Sequence, residues 1–209
     1  MRVFIGADPR QQIAVQVLAH SIFWRSSRPV EITPLILAQL PIKRRGLTEF
    51  TFSRYLVPHL MRYEGIALFL DADMLVLDDI ADLFDMKDGT AVQVAKHNQR
   101  FEWPSMMLFD CDQCRVLTPE FIDNMGNAPQ TLKWAKSIGD LPPEWNHCVG
   151  YDAPAPAKLA HFTKGIPCWP ETKDCEYSRE WYDELGMCNS TVSHEELMGQ
   201  SVHVKGAVQ

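Results

Sequence analysis

"IALFLDADMLVLDD", residues 66–79, is an apolar run that admits Asp71 and Asp73 and then resumes. An ionised carboxylate that leaves water without a partner is costly, so the pair requires compensation. Side chains two apart on an extended chain project to the same side, and a chain extended through both acids brings them together. Two like charges that close call for a cation, and hard oxygen ligands suit Mg2+ or Mn2+, which keep positions open for water and substrate phosphates. "MLVL" (74–77) predicts that the central strand continues through the acids. In open α/β sheets ligands gather at the carboxyl ends of strands, where "FLDAD" leaves its apolar run.

Working outward, "RVFIGA" (2–7) reads as a buried strand and "QQIAVQVLAHSIFWRS" (11–26) as a helix, with Ile13, Val17, Leu18 and Ile22 at helical spacing. "VEITPLIL" (30–37) is a second strand despite Pro34, and "TEFTFSRYLVPHLMRY" (48–63) a helix that Pro58 kinks or interrupts. "DIADLFDM" (79–86) is a short helix capped by Asp79. "TAVQVAKH" and "PSMMLFDC" are further strands, and "TPEFIDNM" (118–125) opens a helix with Thr at the cap and Pro next. Residues 137–171 are rich in Pro, Gly and aromatics with little periodicity, which predicts ordered loops around a site. "SREWYDELGM" and "SHEELMGQ" read as C-terminal helices, the second with a capping box from Ser193 to Glu196. The alternation predicts one α/β domain over 1–209 with a mostly parallel sheet flanked by helices.

At 209 residues, 46% apolar and 22% charged, the chain can bury one sizeable core. The net charge of -7 argues against nucleic-acid binding, and the basic triplet Lys43–Arg45 reads as a solvated loop. No apolar run reaches the ~20 residues of a membrane span, and "MRVFIGADPR" meets an acid and a proline too early for a signal peptide, so a cytoplasmic protein is expected. The six cysteines read as reduced thiols. "CDQC" (111–114) has zinc-knuckle spacing, but neither a second CxxC nor an HxxxH follows to complete four ligands.

Four segments in order resemble retaining glycosyltransferases of family 8, the group that contains glycogenin and bacterial lipooligosaccharide galactosyltransferases. "ALFLDADMLVLDDIADLF" resembles their metal-binding DxD segment. "VFIGADPRQ" resembles their first strand, "TFSRYLVPHL" the segment upstream of DxD with its basic residue, here Arg54, and "LAHFTKGIPCW" the late segment whose histidine completes the metal site. The resemblance spans residues 2 to 182. It implies a GT-A fold, Rossmann-like, with a nucleotide-binding half over 1–100 and an acceptor half over 101–209. It further implies a retaining transferase acting on a nucleotide-diphosphate sugar, UDP-linked, with a glycan or other hydroxyl as acceptor.

The same resemblance implies Mn2+ or Mg2+ on Asp71, Asp73 and His161. Gly6, Ala7, Asp8, Arg54, Asp71, Ala72, Lys164 and Gly165 would line the donor, with Asp8 accepting from the uracil N–H and Lys164 with the Gly165 N–H facing the diphosphate. Gln130 and Asp152, and beside them Asp140, are the candidate groups near the sugar. The chain departs from the family at "WPSMMLF", where an Asn-Ser-Gly turn is usual, at "PQTL", where only Gln130 remains of Asp-Gln-Asp, and at Pro167, which replaces a lysine. Two other readings stand beside this one: a degenerate fold that binds a nucleotide sugar or glycan without turnover, and a haloacid dehalogenase-type phosphatase with Asp71 as nucleophile.

Overall fold

A computed structural model describes residues 1–96, 100–124, 126 and 131–190. Gln130 and the expected helix "SHEELMGQ" (193–200) lie outside the described residues. The chain runs β1 (Arg2–Ala7), α1 (Gln12–Arg25), β2 (Glu31–Ile36), α2 (Phe50–Ser53), α3 (Val57–Leu60), β3 (Ile66–Leu70), β4 (Met74–Val76), α4 (Ala81–Asp85), β5 (Val92–Ala95), β6 (Met106–Asp110), α5 (Pro119–Asn124), β7 (Ile138–Leu141), β8 (His147–Cys148), β9 (Leu159–His161) and α6 (Ser178–Cys188). Among the described residues six strands form a sheet in the order β2-β1-β3-β6-β5-β7, and β4, β9 and β8 form a smaller one. In the larger sheet β1–β2, β1–β3 and β5–β7 pair in parallel, whereas β6 runs antiparallel to both β3 and β5.

Because β1 and β3 lie inside the sheet, both of their faces are covered, which is why they read as continuous apolar runs. Val3, Ile5, Leu68 and Leu70 pack with Ala14, Val17, Leu18 and Ile22 of α1 on one face. Phe4, Ala67 and Phe69 pack with Phe52, Tyr55, Met107 and Phe109 on the other. Pro34 is tolerated because β2 is an edge strand. Pro58 sits in the first turn of α3, and the expected single helix is broken before it into α2, a 3-10 turn over Arg54–Leu56 and α3. That break carries Arg54 into the interior. The Thr118 cap falls where the sequence placed it, with Thr118 Oγ1 accepting from the Phe121 N–H at 3.1 Å, whereas the N-cap of α4 is Ile80 and Asp79, one residue earlier, accepts from the Ala81 N–H at 2.9 Å.

Two expectations are corrected. The central strand does not continue through the acids: it ends at Leu70, and the chain leaves the large sheet across Asp71–Asp73 to enter the small one at Met74. Apolar residues resume there because β4 is buried under α1 as a strand of the second sheet. The stretch 137–171 also holds more than loops, since β7, β8 and β9 fall within it. Strands of two to four residues are too short to show a period.

Candidate metal centre

Three backbone pairings fix the point where the chain changes sheets. The Asp71 N–H donates to Ser105 O (2.9 Å), extending the β3–β6 ladder by one residue, while Phe162 N–H donates to Asp73 O (2.8 Å). Across the small sheet Met74 stands opposite His161 in the antiparallel β4–β9 register. One acid therefore hangs from each sheet, and the imidazole arrives on β9 beside them. The ligand atoms of Asp71, Asp73 and His161 all lie within 4.8 Å of one another, with His161 Nε2 3.5 Å from Asp73 Oδ1.

The surrounding bonds leave oxygens open. Arg54 Nη2 donates to Asp71 Oδ2 at 3.2 Å and stands 3.0 Å from Oδ1 without an aligned hydrogen bond to it. Its Nη1 donates to Pro104 O (2.9 Å) and its Nε to Phe50 O (3.2 Å), so the guanidinium is pinned on three sides. Among the described residues, Oδ1 of Asp71 and Oδ1 of Asp73 are buried oxygens that accept no hydrogen bond. Two unsatisfied carboxylate oxygens and an imidazole in one pocket are a donor set for a divalent cation. The 3.5 Å from His161 Nε2 to Asp73 Oδ1 matches the roughly 3–4 Å that separates ligands around an ion bonded at about 2.1 Å, and a bound ion would draw in any ligand atom that stands as far as 4.8 Å away.

The electrostatics agree. Burial pushes Asp71 up to about 7, helped by the charges of Asp73 and Glu102 and opposed by Arg54. For His161 burial acts downward, yet the carboxylates of Asp73 and Glu102 outweigh it and hold the ring protonated well above 6.5. Without a cation the cluster keeps protons to relieve its own negative charge, and bound metal would take their place.

These residues open onto a cavity of about 500 Å³. Its walls include Arg54, Phe101, Glu102 and the loop from Arg44 to Thr48. Lys43–Arg45 form the loop expected, with Lys43 and Arg45 exposed, but Arg44 is half-buried and both arginines border the cavity. Arg44 lies 3.9 Å from the Phe52 ring and donates to Ile122 O and Gly126 O at 3.3 and 2.9 Å, and these bonds hold the loop in place. Glu102, Ser105 and Asn146 were missed by the sequence reading. Asn146 Oδ1 is 3.0 Å from His161 Nδ1, and its Nδ2 donates to Ser105 Oγ (3.1 Å) and Glu102 O (3.3 Å). The one available signal was the departure "WPSMMLF" itself.

Of the other expected residues, Arg54 joins the cluster and Ala72 is buried between the two acids. Gly6 is required by packing, since a Cβ there would lie 2.6 Å from the Phe50 ring. Ala7 and Asp8 line a separate cavity of about 410 Å³ beside α1 and β2. Both Asp8 oxygens are engaged by Arg10, at 2.9 Å from Nε and 2.6 Å from Nη2, and the guanidinium holds this carboxyl down at about 2. Lys164 Nζ donates to Gly150 O (2.6 Å) and lies 4.6 Å from the Tyr151 ring, and Gly165 turns the chain at φ +119. Asp152 accepts from the Cys148 N–H at 2.7 Å, and Asp140 on β7 pairs with Lys96 at 2.6 Å. Lys164, Gly165, Asp152 and Asp140 are not among the residues that line the 500 Å³ cavity. Cys114 of the CxxC pair gives its S–H to Ala91 O at 3.2 Å. Among the described residues, no helix is long and apolar enough to cross a membrane.

No protein-family model matches the chain. It is 35% identical to Protein CDI of Arabidopsis thaliana, over 88% of this chain and 85% of that one. It superposes on the galactosyltransferase LgtC, solved with donor and acceptor sugar analogues, with a TM-score of 0.63 at 12% identity over 93% of this chain and 99% of that one. It also superposes on the glycosyltransferase GlyE of Streptococcus pneumoniae TIGR4, with a TM-score of 0.65 at 17% identity over 88% of this chain and 59% of that one. The shared architecture is the GT-A fold, an α/β fold with a central mostly parallel sheet flanked by helices.

Proposed function

Because the chain belongs to the family of Arabidopsis thaliana Protein CDI and has the fold of glycosyltransferases, we propose that it is a divalent-metal-dependent glycosyltransferase. The observation that carries this reading is the pair of unsatisfied oxygens on Asp71 and Asp73 beside His161, opening on a cavity large enough for a substrate. The donor is a nucleotide-diphosphate sugar, UDP-linked by the family 8 resemblance, the acceptor a glycan or other hydroxyl, and the transfer retains configuration.

Asp71, Asp73 and His161 would hold Mn2+, with Mg2+ as the weaker substitute, because a mixed oxygen and imidazole set favours the softer ion. Bound there, the cation supplies Lewis-acid stabilisation of the charge that develops on the departing diphosphate. The protein's own residues do the rest. Arg54 pairs with Asp71 and, held on Phe50 O and Pro104 O, fixes the position of its carboxylate. The loop carrying Arg44 and Arg45 brings positive charge to the wall that an anionic donor must pass in a chain of net charge -7. Gly6, Ala7 and Asp8 are assigned to the nucleoside side, Lys164 and Gly165 to the phosphates, and Gln130 and Asp152 to the sugar and acceptor. For Lys164 and Asp152 this assignment requires the 150–165 segment to turn toward the donor when it binds.

The test is donor hydrolysis and thermal shift with a panel of nucleotide sugars, in EDTA and in Mn2+. Donor binding should vanish with chelator and return with Mn2+, and undiminished binding in EDTA would reject the proposal. Because Lys164 and Asp152 are satisfied elsewhere, a binding protein without turnover is the second reading, and Mn2+-dependent binding with no hydrolysis or transfer would select it. The phosphatase reading fares worse: Asp71 follows the third strand, and its ion pair with Arg54 disfavours a nucleophile there.

A further inference from the structure

An imidazole can offer a metal only the nitrogen that carries no proton, so the use of His161 depends on which nitrogen is protonated. The protein's wiring decides this. Glu102 O is a carbonyl and can only accept; both Asn146 Nδ2, at 3.3 Å, and the Ser105 hydroxyl reach it. The side-chain amide of Asn146 is thereby oriented, with Nδ2 toward Glu102 and Oδ1 toward His161 Nδ1. Ser105 has one hydroxyl proton, committed to Glu102, so it shows lone pairs to Asn146 Nδ2 at 3.1 Å and to His161 Nδ1 at 3.4 Å. The Cys148 thiol, 3.9 Å from Nδ1, donates to the Asn146 backbone oxygen at 3.6 Å, and Glu102 Oε2 stands 4.0 Å from Nδ1. Each of these groups presents an accepting side to Nδ1.

We infer that Asn146 and Ser105 are positioning residues that hold the neutral His161 ring with its proton on Nδ1, leaving the Nε2 lone pair to face Asp73 and the cavity. This inference rests on the metal-dependent reading above. Ser105 also acts twice, because its carbonyl accepts the Asp71 N–H at 2.9 Å while its hydroxyl orients the amide that orients His161, so one residue sets two of the three ligands. Asn146, Ser105 and His161 are all buried, and water does not compete for these bonds.

The first test needs no substitution. Nitrogen-15 NMR of histidine-labelled, metal-free protein, at a pH where the His161 ring is neutral, should show a pyrrole-type Nδ1 and a pyridine-type Nε2; the reverse assignment overturns the inference. The second compares Mn2+ affinities by electron paramagnetic resonance. Asn146→Leu should weaken Mn2+ binding by about 10–100-fold, His161→Ala marks full loss of that ligand, and Asn146→Asp, which keeps an accepting oxygen toward Nδ1, should recover most of the affinity. A folded Asn146→Leu variant with wild-type Mn2+ affinity, beside a weakened His161→Ala, would overturn the inference. Should the wild-type protein bind no Mn2+, the metal reading falls, and the tautomer in the metal-free protein alone decides the wiring.

Discussion

Asp71 and Asp73 are held differently, and their variants should behave differently. Asp71 is clamped by Arg54, whereas the Asp73 carboxylate, 20% exposed, pairs among the described residues with the His161 ring. Asp73→Asn should therefore lower Mn2+ affinity and turnover by about 100-fold or more while leaving the fold intact; a collapsed far-UV spectrum would make the residue structural instead. The pH dependence follows from the two raised groups. A folded-state pKa above the unfolded one gives stability that is present at low pH and lost as pH rises through the folded value. For Asp71 that window runs from about 4 to about 7, and for His161 it begins near 6.5 and ends higher. Metal-free protein should lose stability through this range, and the gain in Tm from Mn2+ should grow from pH 5 to pH 8, because bound metal replaces the protons. An equal gain at both pH values would contradict this. The acids were legible in the sequence because they interrupt an apolar run, and His161 because its segment keeps its place in the order. Asn146, Ser105 and Glu102 were not, since the bonds that join the Asn146 amide to the Ser105 hydroxyl, the Glu102 carbonyl and His161 link residues far apart in sequence and form only in the folded chain.

Elements carry the site by how closely they approach. The Phe50 ring in α2 occupies the space a side chain at position 6 would need, and α2 leads directly into the turn that carries Arg54. Gly6→Ala should cost about 1–3 kcal/mol, read as a Tm lower by roughly 2–10 °C, and should loosen Arg54 along with α2. At the other end α6 docks on α1 through Glu184, fully buried, which pairs with Arg25 at 2.7 Å and with His20. Glu184→Ala would leave Arg25 without its counter-charge, at a cost of about 3–5 kcal/mol; a loss under 1 kcal/mol in chemical denaturation would show that α6 is held by its apolar contacts alone. The longer elements were legible: β1, β2, α1 and α6 carry six to fourteen residues, enough for their patterns to show. The strands of the small sheet were not. β8 and β9 have two and three residues, and β4 looked like more of β3 because both are apolar throughout.

Over the whole molecule, the alternation of strand and helix announced an α/β fold, and the segment order pointed to GT-A; the antiparallel β6 and the division into two sheets left no local trace in the sequence. Asp71 trails from the large sheet, while Asp73 and His161 belong to the small one, so an ion shared among them is a rivet across a seam. Opening of the small sheet away from the large would have to release it, and the opening equilibrium should fall by the factor 1 + [Mn2+]/Kd. Amide hydrogen exchange at Leu75 and Ala160, paired across β4 and β9, should slow in proportion to Mn2+ concentration, while Phe69 in β3 keeps the rate set by global unfolding at low metal. The small sheet would then report occupancy of the site directly, with no donor or acceptor in the tube.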